Sequence, residues 1–248
     1  MMDGSRQSFW TSSIKLNVIA SMQVDGTAIN NNCFRDITGI SDIMTIYPRC
    51  WSLWAKKNVA NGKGQAIHVS HPDYVANDSH FAFMLASGSS TYLSPGTYLG
   101  MHAYAPSMGY YINISNKWAD ANWHCFHINF NSYQQADVYM DGTLAANGSS
   151  MLNFPNDSSY CNIEIGGSND WGGQRNFAGL CTRVVVWNRP LTASEIAEDY
   201  AMKNSGVVAP KDLLRFYGGM VGKNNELYNC VNPNDGHLLV PYGNSTIS

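Results

Sequence analysis

The sequence predicts an all-β fold: an antiparallel two-sheet β-sandwich of the jelly-roll kind, with one short helix near residues 193–204. Three observations carry this. Short runs with apolar residues at every second position recur along the chain. Stretches rich in Gly, Asn, Pro and Ser separate them, as turns require. Only one segment, late in the chain, carries helix-start chemistry. Many short strands with a single late helix argue for an all-β sandwich or jelly roll.

In order, Ile14, Leu16, Val18 and Ala20 alternate on one face of a first strand, and Asp25-Gly26 follows as a tight-turn pair. Ile43–Ile46 and Cys50–Ala55 read as two strands on either side of Pro48. Gln65–Ser70, His80–Ala86, Thr97–Tyr104 and Tyr110–Ser115 add further short candidates. Trp123–Phe130 places His124, Phe126, Ile128 and Phe130 on one face, Ala136–Met140 follows, and Asp141-Gly142 closes a hairpin. Cys161–Ile165 runs into Gly166-Gly167, and Leu180–Trp187 is a nearly continuous apolar strand. Thr192 and Glu195 form a capping box, Ile196 and Tyr200 share a helix face, and Gly206 is expected to end the run.

Composition narrows the function classes. Some 44% of residues are hydrophobic and only 13% charged, so a buried core lies under a polar but weakly charged surface. Net charge is −3 with no basic stripe, which argues against nucleic acid as a partner. No run approaches the ~20 apolar residues of a membrane span. Met1 to Trp10 lacks the basic start and apolar run of a signal peptide, which predicts use without signal-peptide export. The six cysteines contain no CxxC pair, and Cys125 and Cys181 sit in apolar strands, so reduced core thiols are expected.

Three ordered segments resemble the laminin-G-like, concanavalin A-like jelly-roll family over about residues 40–205. They are Cys50-Trp-Ser-Leu-Trp-Ala-Lys56, the Asn122–His127 strand with Ala136-Asp-Val-Tyr-Met-Asp-Gly142, and Phe177–Leu191 followed by Thr192–Tyr200. The expected division is an N-terminal arm (1–12), a sandwich (13–206) and an extension (207–248) outside the resemblance, in which Leu213, Leu214 and Phe216 add a strand to the sandwich edge or dock on a neighbouring subunit. The chain departs from the family at two positions, where Cys125 replaces a His and Thr182 an acidic residue. No cofactor or metal is therefore expected. Calcium, held by acidic residues in some relatives, is the alternative, although the chain has only four Glu.

Catalysis is not expected. Sugar-cleaving relatives carry a strand with an ExDxxE cluster, because glycoside hydrolysis needs an acid and a second carboxylate. Here Glu195, Glu198 and Asp199 are the only close acidic group, and they read as a capped, solvated helix face. His124 and His127, like His68 and His71, stand three apart and so on opposite faces of a strand, which rules out a shared metal.

The expected binding feature is the loop containing Asn169, Asp170, Trp171 and Arg175. The Trp171 ring would lie on a sugar while its polar neighbours meet hydroxyls or a carboxylate; the competing reading folds Trp171 back onto the sandwich. Tyr92, Tyr98 and Tyr104 are candidate interface anchors. The Asp73/Asn77/Asp78 loop reads as surface turn chemistry with a cation as the lesser alternative. The expected function is recognition or assembly on a virus or phage particle, as a capsid decoration, fibre or tail adhesin. The expected partners are further copies of the chain or capsid and tail proteins, together with a cell-surface glycan. The expected location is the virion, or else the extracellular space. A free lectin or carbohydrate-binding module is the alternative, and a glycoside hydrolase a distant third.

Overall fold

Among the described residues the alternating segments pair into two eight-stranded antiparallel sheets. A computed structural model describes residues 22–24, 33–36, 49–58, 64–70, 81–87, 97–103, 109–113, 118, 120–132, 135–149, 162–166, 177, 179–203, 205–218, 227–232, 238–242 and 246–247. The expected strands at 14–20 and 43–46 and the Asp25-Gly26 turn lie outside the described residues.

The strands begin with β1 (Met22–Val24), β2 (Cys33–Asp36), β3 (Arg49–Lys57) and β4 (Gly64–Ser70). Next come β5 (Phe81–Ser87), β6 (Thr97–Ala103), β7 (Gly109–Asn113) and β8 (Trp123–Ser132). They continue with β9 (Gln135–Met140), β10 (Thr143–Ser149), β11 (Asn162–Ile165) and β12 (Gly179–Trp187). Helix α1 (Ala193–Met202) precedes β13 (Leu213–Tyr217), β14 (Leu227–Tyr228), β15 (Leu238–Tyr242) and β16 (Thr246–Ile247). Sheet 1 runs β10-β9-β8-β3-β12-β1-β16, with β13 also on β12; sheet 2 runs β14-β15-β2-β11-β4-β5-β6-β7. β1 and β13 share one edge of β12, β1 pairing with Gly179–Cys181 and β13 with Val184–Trp187. β1 is itself paired with β16, Met22 opposite Ile247.

The main core lies between the sheets. Trp51, Leu53, Phe126, Ile128 and Phe130 of sheet 1 meet Phe34, Ile163 and Ile165 of sheet 2, and Trp118 joins them. Each side chain of this size taken out of water contributes about 1.5–3 kcal/mol. A second core covers the opposite face of sheet 1: Cys50, Val185 and Trp187 pack under Leu191, Ile196, Val208 and Phe216. β3 and β12 are therefore covered on both faces, and this is why they read as nearly continuous apolar runs.

α1 begins as the sequence predicts, with the Thr192–Glu195 capping box formed, and runs to Met202. Lys203 takes the left-handed φ of 52° that stops it, and Gly206 lies beyond, buried under the helix. The β9–β10 turn is the expected Asp141-Gly142 pair, with φ of 53° and 77° suiting a two-residue hairpin.

Strands β1, β2, β10 and β14–β16 complete the sheets beyond the segments read as strands above, and the Leu213–Tyr217 segment is a strand paired with β12. β2 shows why such strands escape a sequence reading. Phe34 and Asp36 both point into the core, where Tyr217 Oη of β13 donates to Asp36 Oδ2 at 2.7 Å. A buried carboxylate breaks the apolar alternation that would mark the strand. Among the described residues no helix is long and apolar enough to cross a membrane.

Candidate functional site

One end of the sandwich gathers polar side chains from several elements. Asp120 and Asn122 lie in the turn leading into β8, His124 opens β8, and Asp141 starts the β9–β10 turn. His124 Nδ1 meets Asp141 Oδ2 at 2.6 Å, and its Nε2 meets Asp120 Oδ1 at 2.8 Å. Asp120 also accepts from the Asn122 backbone N–H (3.1 Å) and side-chain amide (2.8 Å), and Asp141 Oδ1 accepts from Cys125 N at 2.9 Å. A carboxylate only accepts, so contacts at both ring nitrogens require His124 as the doubly protonated imidazolium. Burial alone would lower the His124 pKa, but the bonds from Asp141 and Asp120 outweigh it and raise the value. Burial would raise Asp120; its His124 and Asn122 bonds prevail and hold it at about 2.

The segment carrying Asp120 is anchored inward as well. Trp118 is buried against Phe126 (centroids 4.7 Å apart) and Phe177 (5.6 Å). Its backbone carbonyl accepts from Lys57 Nζ, whose charge also lies 5.2 Å from the ring centroid. Burial lowers the Lys57 pKa, with Asp120 opposing.

Phe177 N donates to Gly166 O at 2.8 Å, and Gly166 N donates to Ala66 O at 2.9 Å. These bonds close the base of the stretch that carries the predicted binding residues, and Phe177 sets that base against Trp118. Gly179 brings β12 so close that a Cβ there would lie 2.1 Å from Lys56 O and 2.6 Å from the Phe177 ring.

A second cluster is wholly enclosed under α1. β12 carries a bulge: Thr182 pairs with Trp54 and Val185 with Ser52, so one extra residue sits on β12. Arg183, at φ 52°, lies within it and turns its side chain toward the helix. Its Nη1 and Nη2 donate to Asp199 Oδ2 (2.8 Å) and Oδ1 (2.6 Å), and Nη2 also donates to Gly206 O (2.7 Å). His127 Nε2 donates to Asp199 Oδ2 at 2.8 Å, and Cys125 Sγ lies 3.8 Å from His127 Nδ1.

This corrects one expectation. Asp199 belongs to no solvated helix face; it is fully buried and ion-paired, while Glu195 caps α1 and pairs with Arg189 (2.6 Å). The order Cys125–His127–Asp199 is that of a nucleophile, a base and an orienting carboxylate. All three are sealed from solvent, and burial pushes the Cys125 thiol well above its ordinary value. As placed, the group has no route to a substrate. Among the described residues no cluster of three or more His, Cys, Asp or Glu is arranged to hold a metal.

His124 and His127 engage different partners, as their opposite strand faces dictate. Cys50, Cys125 and Cys181 are buried and without disulfides. Asn169, Asp170, Trp171, Arg175, Tyr92, Tyr104, His71 and the Asp73/Asn77/Asp78 loop lie outside the described residues. Tyr98 is placed on β6, opposite Asn113 and Ala86. The Asp120–His124–Asp141 cluster was missed because its members come together only when the hairpin closes; the signal at hand was His124 near the Asp-Gly turn that ends the same hairpin.

Two antiparallel sheets packed face to face, with polar turns grouped at one end, define a lectin-type sandwich. The chain belongs to the concanavalin A-like lectin/glucanase superfamily, whose Laminin_G_3 model matches residues 41–197. Among solved structures, the Ruminococcus gnavus IT-sialidase CBM40 bound to α2,3-sialyllactose shares 16% identity at TM-score 0.53, covering 73% of this chain and 98% of that one. A carbohydrate-binding protein assigned from Bacteroides ovatus shares 15% at TM-score 0.54, with 93% of this chain spanning 57% of that one. The heptameric pentraxin of Limulus polyphemus shares 14% at TM-score 0.54, over 77% and 86%. At such identities the likeness is one of fold alone. No curated protein sequence matches the chain significantly.

Proposed function

We propose that this chain is a non-catalytic glycan-recognition module that binds through the end of the sandwich carrying Asp120, Asn122, His124 and Asp141. The stretch with Asn169, Asp170, Trp171 and Arg175 supplies the sugar-facing groups. The observation that carries this reading is the closure of that stretch by the Phe177 N–H to Gly166 O bond, set against Trp118 beside the polar cluster. Exposed Asn122 and half-exposed Asp120 present donors and acceptors there, which suits sugar hydroxyls. The buried state of Asp199 and the capping role of Glu195 support a non-catalytic reading, since neither is available to a glycosidic bond.

A glycan array that includes sialylated and neutral sugars tests it. Trp171→Ala is expected to abolish binding while circular dichroism and melting stay unchanged. Undiminished binding by a folded Trp171→Ala variant would remove this site.

The assembly context we propose is display on a virus or phage particle in multiple copies. Support comes from the weakly charged composition and the run of Tyr92, Tyr98 and Tyr104, residues suited to interfaces. Light scattering that reports a monomer at every concentration would count against it.

A further inference from the structure

We infer that Tyr200 of α1 is a positioning residue for the polar end of the sandwich: its ring, stacked on Trp54, supports the Asp141-Gly142 turn where Asp141 meets His124. The consequence for binding rests on the glycan-recognition reading, but the support stands on its own contacts.

Asp141 needs holding in place. It takes the left-handed φ of 53°, a conformation that costs a residue with a side chain energy. From the sheet side Cys125 holds it: Asp141 N donates to Cys125 O at 2.8 Å, and Cys125 N donates to Asp141 Oδ1 at 2.9 Å. From the helix side the turn rests on α1. A Cβ built on Gly142 would lie 3.2 Å from Tyr200 Cδ1, 3.3 Å from Tyr200 Cβ and 3.4 Å from Ala197 Cα. Gly142 therefore lies directly against the helix, and Tyr200 is the large side chain it meets there.

Tyr200 is fixed in its turn. Its ring is nearly parallel to that of Trp54, with centroids 5.6 Å apart and planes at 13°. Trp54 is buried and stands opposite Cys125 in the β3–β8 ladder. The turn is thus gripped by the Cys125 backbone on one side and by the ring stacked on Cys125's cross-strand neighbour on the other. Burial raises the Tyr200 pKa and the Asp141 charge raises it further, in keeping with that closeness.

The helix has other anchors. Ile196 sits in the second core, and Asp199 is bonded to Arg183, His127 and the Val208 N–H. Removing the Tyr200 ring therefore leaves α1 docked and takes the support from the turn alone. Asp141 Oδ2 meets His124 Nδ1 at 2.6 Å, so a loosened turn weakens one of the two carboxylate contacts of His124 and leaves the other, to Asp120.

Tyr200→Ala and Tyr200→Phe, compared by hydrogen exchange at one pH and by NMR titration of the His124 ring, test the support without any ligand. In Tyr200→Ala the Asp141 and Cys125 N–H groups should exchange about fivefold faster or more, the loss expected for one aromatic pair. The Val208 N–H, which donates to Asp199, should keep its parent rate. Burial lowers the His124 pKa and the Asp141 bond raises it, so the ring midpoint should fall. Tyr200→Phe keeps the ring and its stacking, and should restore both properties. Parent-like exchange and midpoint in Tyr200→Ala overturn the assignment. So does a Tyr200→Phe variant that behaves like Tyr200→Ala, or equal acceleration at Val208, which would mean that the whole helix has come away. A glycan array run with parent and Tyr200→Ala separates the two readings. A blank array with the parent sinks glycan recognition and leaves the support to the exchange data, whereas equal binding by both with a loosened turn sinks the link between them.

Discussion

Asp199 of α1 and Arg183 of β12 face each other at 2.6 Å where neither side chain touches solvent, and the pair rivets the helix to the sheet. His127 and the backbone N–H of Val208 occupy the remaining acceptor positions, so every buried charge there has a partner. Removing one partner strands the other.

Asp199→Ala should therefore cost about 3–5 kcal/mol, the usual penalty for leaving a buried charge uncompensated. Urea unfolding followed by tryptophan fluorescence measures it. A loss under 1 kcal/mol would mean the helix is not held this way.

The same carboxylate sets an acid limit. Burial would raise the Asp199 pKa, but His127 and Arg183 prevail and hold it well below the usual carboxylate range. Arg189, with the Thr192 cap, holds Glu195 at about 2. Both folded values are depressed, so this stability is present above the ordinary carboxylate pKa near 4 and drains away as pH falls through the folded values. Chemical denaturation across pH 2–6 should show that decline, shallower in Glu195→Gln than in the parent.

Gly179→Ala should destabilise the sandwich by about 1–3 kcal/mol, because the added methyl meets a backbone carbonyl that cannot swing aside. The thermal midpoint reads this directly. The ladder between β3 and β12 has to move to admit the methyl, so an unchanged midpoint would contradict the close approach.

Cys50, Cys125 and Cys181 should resist thiol-exchange reagents in the native protein and react on unfolding. Burial raises all three thiols, and the thiolate is the reacting species. Peptide mapping after labelling identifies the sites. A rapidly labelled Cys125 in folded protein would reopen the question of the Cys125–His127–Asp199 group.

How far the fold is legible in the sequence depends on what each strand buries. β3, β8 and β12 announce themselves because apolar residues line one face or both, and the Thr192–Glu195 box marks α1 before any coordinates. β2 hides because Asp36 takes a core position with Tyr217 as its partner. Asp199 misleads for a related reason. A carboxylate on a helix surface is ordinarily solvated, and only the bulge at Arg183 reveals why this one is not. A bulge of one residue has no signature in apolar periodicity when both faces of the strand are already apolar.

The polar cluster at the sandwich end was half legible. The Asp141-Gly142 turn and the β8 strand could be placed, but not the β8–β9 register that sets His124 beside Asp141. Asp120 could not, because the Lys57 bond and the Trp118 packing that hold its segment join residues about sixty positions apart.

Since β1 lies against β16, Met22 opposite Ile247, the first and last of the described strands leave the sheet one ladder spacing apart, about 5 Å. A tether of a few residues would join them, and new ends opened at the Asp141-Gly142 turn would leave all the strand partners available. Circular permutation should thus be tolerated here: the linear order of the polypeptide is separable from the architecture it builds.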